Sequence, residues 1–180
     1  MARRNILTYP DPILTSPSQP VREIDGRIAT LIEDMVETMY AAPGIGLAAP
    51  QVGVGERVIV VDVNTEEPGR DLVKLVNPRV VAAEGTVVFE EGCLSVRNFT
   101  AEVRRARKVL VRGWTLEQKE IEIEAEDLFA VALQHEIDHL DGKLFIDRIG
   151  QLRRDLYRRR LKRWLREGFP DEAQRPVAGL

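Results

Sequence analysis

The two histidines of the chain, His135 and His139, lie four residues apart in a stretch that reads Gln-His-Glu-Ile-Asp-His-Leu. On an α-helix this spacing places two side chains on one face, with Cβ atoms about 5–6 Å apart, so two imidazoles can bind one metal ion. Glu136 follows the first histidine, and His-Glu-x-x-His on a helix is typical of metal-dependent hydrolysis. The alternative interpretation is a helix that carries one packed and one solvated histidine.

The residues around this motif favour a helix, with Asp127 as the N-cap and Gly142 just beyond the last turn. Apolar residues surround much of this segment, so we expect the helix to lie inside the protein. Those apolar residues are Leu128, Phe129, Val131, Leu133, Ile137 and Leu140. Buried imidazoles need a polar partner, and a metal ion supplies one.

The strong soft-metal ligands of the sequence are Cys93, His135 and His139. A structural zinc site would need a fourth Cys or His, and the sequence has none, whereas a catalytic site takes three protein ligands and leaves a position for water. A divalent ion lowers the pKa of that water toward about 7. Glu136 points away from the ion by one helical step, so we predict a general base, and later an acid, instead of a fourth ligand. A buried structural cysteine is the alternative interpretation of Cys93.

A glycine-rich loop covers residues 43–55 and contains Gly-Ile-Gly. A dinucleotide-binding loop would follow a strand and open a helix, but this segment follows a predicted helix, and Pro50 argues against a helix after it. Glycines instead allow the backbone to approach a ligand closely. Gln51 is the polar side chain of this apolar loop, and a solvated loop residue is an equally open interpretation.

The composition indicates one domain in 180 residues, with 44% hydrophobic residues, 31% charged residues and a net charge of −3. No apolar run of about 18 residues predicts a membrane span, and the basic start is not followed by the apolar segment of a secretory signal. The single cysteine excludes an internal disulfide and fits a reducing compartment. We therefore predict a cytoplasmic protein that has no membrane partner and does not bind DNA.

The remaining pattern predicts an irregular arm over residues 1–24, an amphipathic helix over 26–41 with Asp25 as N-cap, a last helix over 149–167 and a loose tail over 170–180. Predicted strands cover Arg57–Val63, Leu72–Val76, Thr86–Phe89, Arg107–Trp114 and Glu120–Ala125. The last two should form a hairpin.

The last predicted helix is strongly basic, with eight basic residues in fourteen positions. These are Arg153, Arg154, Arg158, Arg159, Arg160, Lys162, Arg163 and Arg166. A solvated face is the default interpretation, and contact with an anionic partner such as RNA is the alternative.

Three motifs occur in order: Gly-Ile-Gly-Leu-Ala-Ala-Pro-Gln over 44–51, Glu-Gly-Cys-Leu-Ser over 91–95, and Gln-His-Glu-Ile-Asp-His over 134–139. This ordered trio resembles the peptide deformylase family, whose members remove the N-formyl group from newly made bacterial polypeptides. The likeness begins at the N-terminal Asp-Pro-Ile-Leu of 11–14 and covers most of the chain. It implies a single catalytic domain over 1–180 with an α+β fold, in which a central metal-binding helix packs against antiparallel β-sheets between an N-terminal and a C-terminal helix.

The resemblance also implies the roles of the site residues. Cys93, His135 and His139 would hold the metal, usually Fe(II) in this family and replaceable by Ni, Co or Zn. Its water would attack the formyl carbon while Glu136 moves the protons, and formate would be released. The Gln51 amide and the backbone N–H of Leu94 would stabilise the oxyanion.

The N-formyl-methionyl nascent peptide is expected to pair as an added strand with the backbone near Ile45 and Gly46. The residues expected to border the methionine pocket are Ile45, Glu91, Leu128, Val131 and Ala132. The basic helix fits the docking of family members to the ribosome. Two positions depart from the family pattern, because Arg97 stands where a proline is common and Thr100 where many members have an arginine.

Two rival hypotheses stay open at this point. A zinc-dependent endopeptidase would share the His-Glu-x-x-His helix, but it does not explain the motifs around Cys93 and Gln51. An inactive relative that binds metal or ribosome would have no use for Glu136 as a general base.

Overall fold

The computed structural model describes residues 2–169, in which three α-helices combine with seven antiparallel strands. The helices are α1 (Gly26–Ala41), α2 (Asp127–Leu140) and α3 (Gln151–Glu167). The strands are β1 (Gly46–Ala48), β2 (Val58–Val61), β3 (Val73–Glu84), β4 (Val87–Cys93), β5 (Val96–Arg105), β6 (Lys108–Trp114) and β7 (Glu120–Glu126). The predicted α+β class is confirmed, and the predicted tail over 170–180 lies outside the described residues.

Five strands form one sheet in the order β1-β2-β3-β6-β7, and β4 pairs with β5 in a second sheet. All of these pairs are antiparallel. The predicted hairpin is β6–β7, with Trp114 opposite Glu120. Strand β1 lies at the edge of the larger sheet, so one side of its backbone is free of a strand partner within the described residues.

Helix α1 has the predicted bounds because Asp25 caps its N-terminus, accepting hydrogen bonds from the backbone N–H groups of Arg27 and Ile28. Its apolar stripe is buried against β1 and β2, in a cluster with Leu47, Val58 and Val60. This packing holds β1, which lies within the glycine-rich segment, against α1.

Helix α2 lies in the interior, as its sequence predicts, and packs on the larger sheet beside residues such as Ile59, Leu75 and Val111. The predicted N-cap is wrong by one residue, because Glu126 takes that position and Asp127 begins the helix with φ of +50°. At the other end Gly142 has φ of +68°, and a Cβ there would lie 2.8 Å from the backbone carbon of Ser16. Glycine is therefore required where the helix meets the N-terminal arm.

The N-terminal arm is irregular, as predicted, apart from a 3₁₀ turn at Pro12–Thr15. Its backbone N–H groups bind the carbonyl groups of the segments that carry the motifs. Leu7 donates to Gln51 and Tyr9 donates to Ser95, both at 2.8 Å. The arm therefore holds the first two motifs at fixed distances from each other.

The predicted strand boundaries are wrong at several places. β3 continues to Glu84 instead of ending near Val76, because shifts in its pairing with β6 accommodate Pro78. Strands β1 and β5 were not predicted, and the motif around Cys93 ends β4 before a two-residue turn. Among residues 2–169, no helix is long and apolar enough to cross a bilayer.

Candidate metal and active site

Cys93 at the end of β4 meets His135 and His139 of α2, as the sequence predicts. One ligand atom from each of the three side chains lies within 4.8 Å of the others, and Cys93 Sγ is 3.2 Å from His139 Nε2. The two imidazole rings are 5.1 Å apart and inclined by 70°, so both present a nitrogen toward the same space. The three-ligand group is buried, although Cys93 as a residue is of intermediate exposure.

His135 is oriented by a carboxylate behind it. Its Nδ1 lies 2.9 Å from Glu91 Oε2, which leaves Nε2 for a metal. Burial alone lowers the pKa of His135, but hydrogen bonds to Cys93 and Glu91 outweigh it and raise this pKa well above its usual value. These two groups favour positive charge at this point, whether a proton or a cation.

His139 is also buried, and its Nδ1 has no hydrogen-bond partner among residues 2–169. Burial, followed by the neighbouring His135, lowers the pKa of His139 well below its usual value. This direction favours the neutral ring, which is the form that binds a metal. A thiol and two imidazoles that converge in this way fit a borderline-soft divalent ion.

A buried network of salt bridges between side chains holds the carboxylate that orients His135. Arg105 on β5 donates to both oxygens of Glu91, at 2.7 and 2.9 Å, and also to Asp138 of α2. Asp138 also pairs with Arg148. Burial raises the pKa of Glu91, but the hydrogen bonds from Arg105 and His135 outweigh it, so this pKa is lower than usual. The carboxylate that orients His135 therefore stays ionised.

Sequence reasoning did not find Arg105, Asp138 or Arg148. Asp138 stands inside the third motif, and its position next to His139 was the available signal. Arg105 stands in no recognised pattern, and its partners are 14 and 33 residues away in the sequence.

Glu136 lies beside the metal group with its carboxylate buried against β1. Its Oε2 has no hydrogen-bond partner among the described residues, and burial raises the pKa of Glu136 to about 7. The carboxylate occupies space that a side chain at Gly46 would fill. A buried carboxylate with one free oxygen can accept and return a proton, as a general base requires.

Gln51 is buried in a 3₁₀ turn after β1, and its side chain has a fixed orientation. Oε1 accepts a hydrogen bond from the Ala48 N–H at 2.8 Å, so Nε2 faces Ser95 Oγ at 3.2 Å and Cys93 Sγ at 3.7 Å. Gln51 is thus not a solvated loop residue. Its amide N–H group lies next to the metal group.

The predicted pocket residues occupy different environments. Ile45 packs on the core cluster that contains Val131 and Ala132 of α2. Leu128 is 37% exposed at the start of α2. Glu91 is fully buried, with its carboxylate engaged by Arg105 and His135. Leu94 lies in the turn between β4 and β5, and a Cβ on Gly44 would lie 2.9 Å from its side chain, so the two loops are in contact.

The two departures from the family pattern have local partners. The Arg97 guanidinium lies over the Phe169 ring at 5.0 Å, which directs it toward the end of α3. Thr100 donates a hydrogen bond to Glu90 at 3.0 Å.

Comparison with known proteins agrees with this geometry. The family model described as polypeptide deformylase matches residues 3–155. A protein named peptide deformylase from Syntrophobacter fumaroxidans is 51% identical over 93% of this chain and 98% of its own length. One from Thermodesulfovibrio yellowstonii is also 51% identical, over 90% of this chain and 98% of its own length.

Solved structures show the same fold. A peptide deformylase from Legionella pneumophila is 45% identical, with a TM-score of 0.83 over 92% of this chain and 96% of that one. The peptide deformylase from Ehrlichia chaffeensis in complex with actinonin is 36% identical, with a TM-score of 0.83 over 91% of this chain and 98% of that one.

Proposed function

The chain belongs to the peptide deformylase family, and we propose that it removes the N-formyl group from the formyl-methionine of newly made polypeptides, releasing formate. It is therefore a metal-dependent hydrolase that acts on a linear amide, and we propose that residues 1–180 form a single catalytic domain. The observation that carries the proposal is the meeting of Cys93, His135 and His139 next to Glu136 and Gln51. Cys93, His135 and His139 would hold a divalent ion, which would act as a Lewis acid and lower the pKa of a bound water.

Glu136 is the proposed general base and acid. Its free carboxylate oxygen takes the proton from the attacking water and returns it to the nitrogen that leaves. The absence of a side chain at Gly46 leaves the space that this carboxylate occupies. Correct positioning of a general base contributes a large part of the rate enhancement in proton transfer.

Gln51 and Leu94 are the proposed oxyanion stabilisers. The Gln51 amide cannot turn without losing the hydrogen bond from Ala48, so its N–H group is already aimed before the substrate arrives. Leu94 would contribute its backbone N–H from the turn that follows Cys93.

The free edge of β1 supports the proposed substrate path. An extended formyl-peptide would add as a strand to the backbone near Ile45 and Gly46. Its methionine side chain would enter a pocket bordered by Ile45, Leu128, Val131 and Ala132. Glu91 would act behind this pocket by holding His135.

The decisive test is an anaerobic assay of the metal-loaded protein on formyl-Met-Ala-Ser, beside Glu136→Gln. We expect turnover to fall by a factor of about 10² or more in the variant while the metal content is unchanged. Equal turnover by the two proteins would contradict the role of Glu136. Cleavage of casein, without release of formate, would instead support a zinc endopeptidase.

We propose Fe(II) as the native metal and Ni, Co or Zn as substitutes. Cys93 is partly exposed, so a thiolate-bound Fe(II) centre should be open to oxidation. Activity of the Fe(II) form should decline in air while that of the Ni form persists. Equal losses from both forms would argue against this assignment.

We also propose a cytoplasmic location and contact between α3 and the ribosome, where the substrate emerges. The charge of α3 supports the contact, because Arg159, Arg160 and Arg163 are exposed on the described part of the helix.

A further inference from the structure

We propose that a polar pocket at the C-terminal end of α2 binds a dianionic phosphate group, such as that of a phosphate monoester. The pocket has a volume of about 400 Å³, and its lining includes none of the metal ligands. Its charged side chains are Arg57, Arg79, Asp138, Asp141, Lys143 and Arg148. The proposal is independent of the reaction at the metal.

The pocket carries an excess of positive charge. Arg57 pairs with Asp141 at 2.8 Å, and Arg148 pairs with Asp138. Among residues 2–169, no carboxylate oxygen lies within 4.0 Å of a cationic nitrogen of Arg79 or Lys143. Two positive charges are therefore left without a partner, both on exposed residues that line the same pocket.

Stabilisation of the helix terminus does not account for these two cations. Cations near a helix C-terminus are favourable because the last carbonyl groups lack partners. Here Arg57 already donates to the carbonyl of Leu140. The backbone N–H groups of residues 141–143 satisfy the carbonyls of residues 137–139. Arg79 comes from β3, a different element, and contributes nothing to this cap.

The walls of the pocket are fixed before any ligand binds. The Arg57 guanidinium is held by Leu140 O, Asp141 Oδ1 and Pro78 O, at 3.2, 2.8 and 3.1 Å. Arg148 is held by both oxygens of Asp138. A preorganised guanidinium loses little entropy when it binds an oxyanion, and Arg79 and Lys143 can close over the ligand from the rim.

The charge excess selects the class of ligand. A group with two negative charges neutralises both free cations, whereas the monoanionic diester of a nucleic-acid backbone neutralises only one. Phosphate is favoured over a single carboxylate because it also offers more acceptor oxygens to the guanidinium groups.

The test is a titration of the metal-loaded full chain with inorganic phosphate at constant ionic strength, followed by NMR of the backbone amides of Arg79, Val80 and Lys143. We expect saturation with one site. The double variant Arg79→Ala, Lys143→Ala should weaken binding about tenfold. The matched variant Arg159→Ala, Arg163→Ala removes the same charge from α3 and should leave the affinity within about twofold.

Dimethyl phosphate separates the two sources of phosphate, since it has the single charge of a nucleic-acid linkage. It should bind at least about tenfold more weakly than inorganic phosphate. Equal binding of the two, with competition by a short RNA, would overturn the proposed ligand class. Shifts that do not saturate, or a double variant that binds phosphate within about twofold of wild type, would indicate an adventitious ion only and overturn the site.

Discussion

Gly46 on β1 and Glu136 on α2 fit against each other so closely that a Cβ at residue 46 would lie 2.9 Å from Cδ and Cγ of Glu136, and closer still to Oε1. Contacts below 3.0 Å essentially do not occur for real Cβ atoms, so one of the two groups would have to move. Glycine at position 46, on the sheet edge, thus makes room for the carboxylate of Glu136, the proposed base.

Gly46→Ala should displace the Glu136 carboxylate and lower kcat by about 10²-fold, because general-base catalysis depends on position. The metal content should not change, since neither residue is a proposed ligand. Steady-state kinetics with metal analysis checks this. Gly55→Ala is the matched control, because a Cβ there meets nothing within 4 Å. Wild-type kcat in Gly46→Ala would show that the carboxylate has room to spare.

Gln51→Leu should retain the metal and lower kcat by about 10²–10³-fold, the usual loss for one oxyanion donor. Ser95→Ala removes only the hydroxyl that accepts a hydrogen bond from Gln51. Ser95→Ala should therefore lower kcat much less, by about tenfold or below. If the two variants lose activity equally, the amide acts by holding Ser95 and not by binding the oxyanion.

Arg105→Met should destabilise the fold by about 3–5 kcal/mol, because it leaves the buried carboxylates of Glu91 and Asp138 without a shared cation. Since Glu91 orients His135, metal affinity should also fall by about 10–100-fold. Denaturant unfolding and competition with a chelator measure the two effects. The control is Arg112→Met, which removes an exposed pair with Glu122 and should leave metal affinity unchanged.

The metal ligands are a part of the site that the sequence alone could predict. The ligands His135 and His139 are four residues apart on one helix, so local periodicity places them on one face. Cys93 could be proposed as their partner because it is the single cysteine of the chain, and a thiolate is a strong soft-metal ligand. These assignments depend on composition and spacing, which are visible without a fold.

The ion pairs behind His135 could not be predicted in the same way. Arg105 reaches Glu91 and Asp138 only because β5 pairs with β4 and passes the end of α2. The register of β5 is set by long-range packing, and the strand itself has an irregular pattern of burial. The continuation of β3 past Pro78 was missed for a related reason, because the shifts that accommodate the proline depend on the partner strand.

Asp62→Asn should destabilise the protein by about 1–3 kcal/mol at neutral pH, because buried Asp62 accepts hydrogen bonds from Tyr40, Asn64 and Gly69. Burial raises the pKa of Asp62, but these hydrogen bonds outweigh it and lower this pKa below its usual value. The unfolded chain thus binds the proton more tightly than the folded one.

The advantage of wild type over Asp62→Asn should therefore be complete above about pH 4 and should disappear as the pH falls further. Urea unfolding of both proteins at a series of pH values measures the difference. A difference that stays constant down to pH 2 would mean that Asp62 does not act through its charge.

The proposed ribosome contact depends on the charge of α3, so reversing that charge should abolish it without touching the metal centre. Arg159, Arg160 and Arg163 are exposed, whereas the neighbouring Arg158 is partly buried, so the three exposed residues are the ones to replace by Glu. Co-sedimentation with ribosomes should fall strongly, and more so at low ionic strength, where unscreened charges act over a Debye length of about 30 Å.

A variant with the same change of charge elsewhere separates this contact from a general effect of net charge. Arg22, Arg104 and Lys119 are exposed on other elements and can be replaced by Glu together. Both triple variants should hydrolyse a free formyl-peptide at the wild-type rate, because none of the six residues lies among the proposed ligands or catalytic groups. If the two variants sediment alike, the contact is not made by α3, and the basic face of this helix is simply solvated.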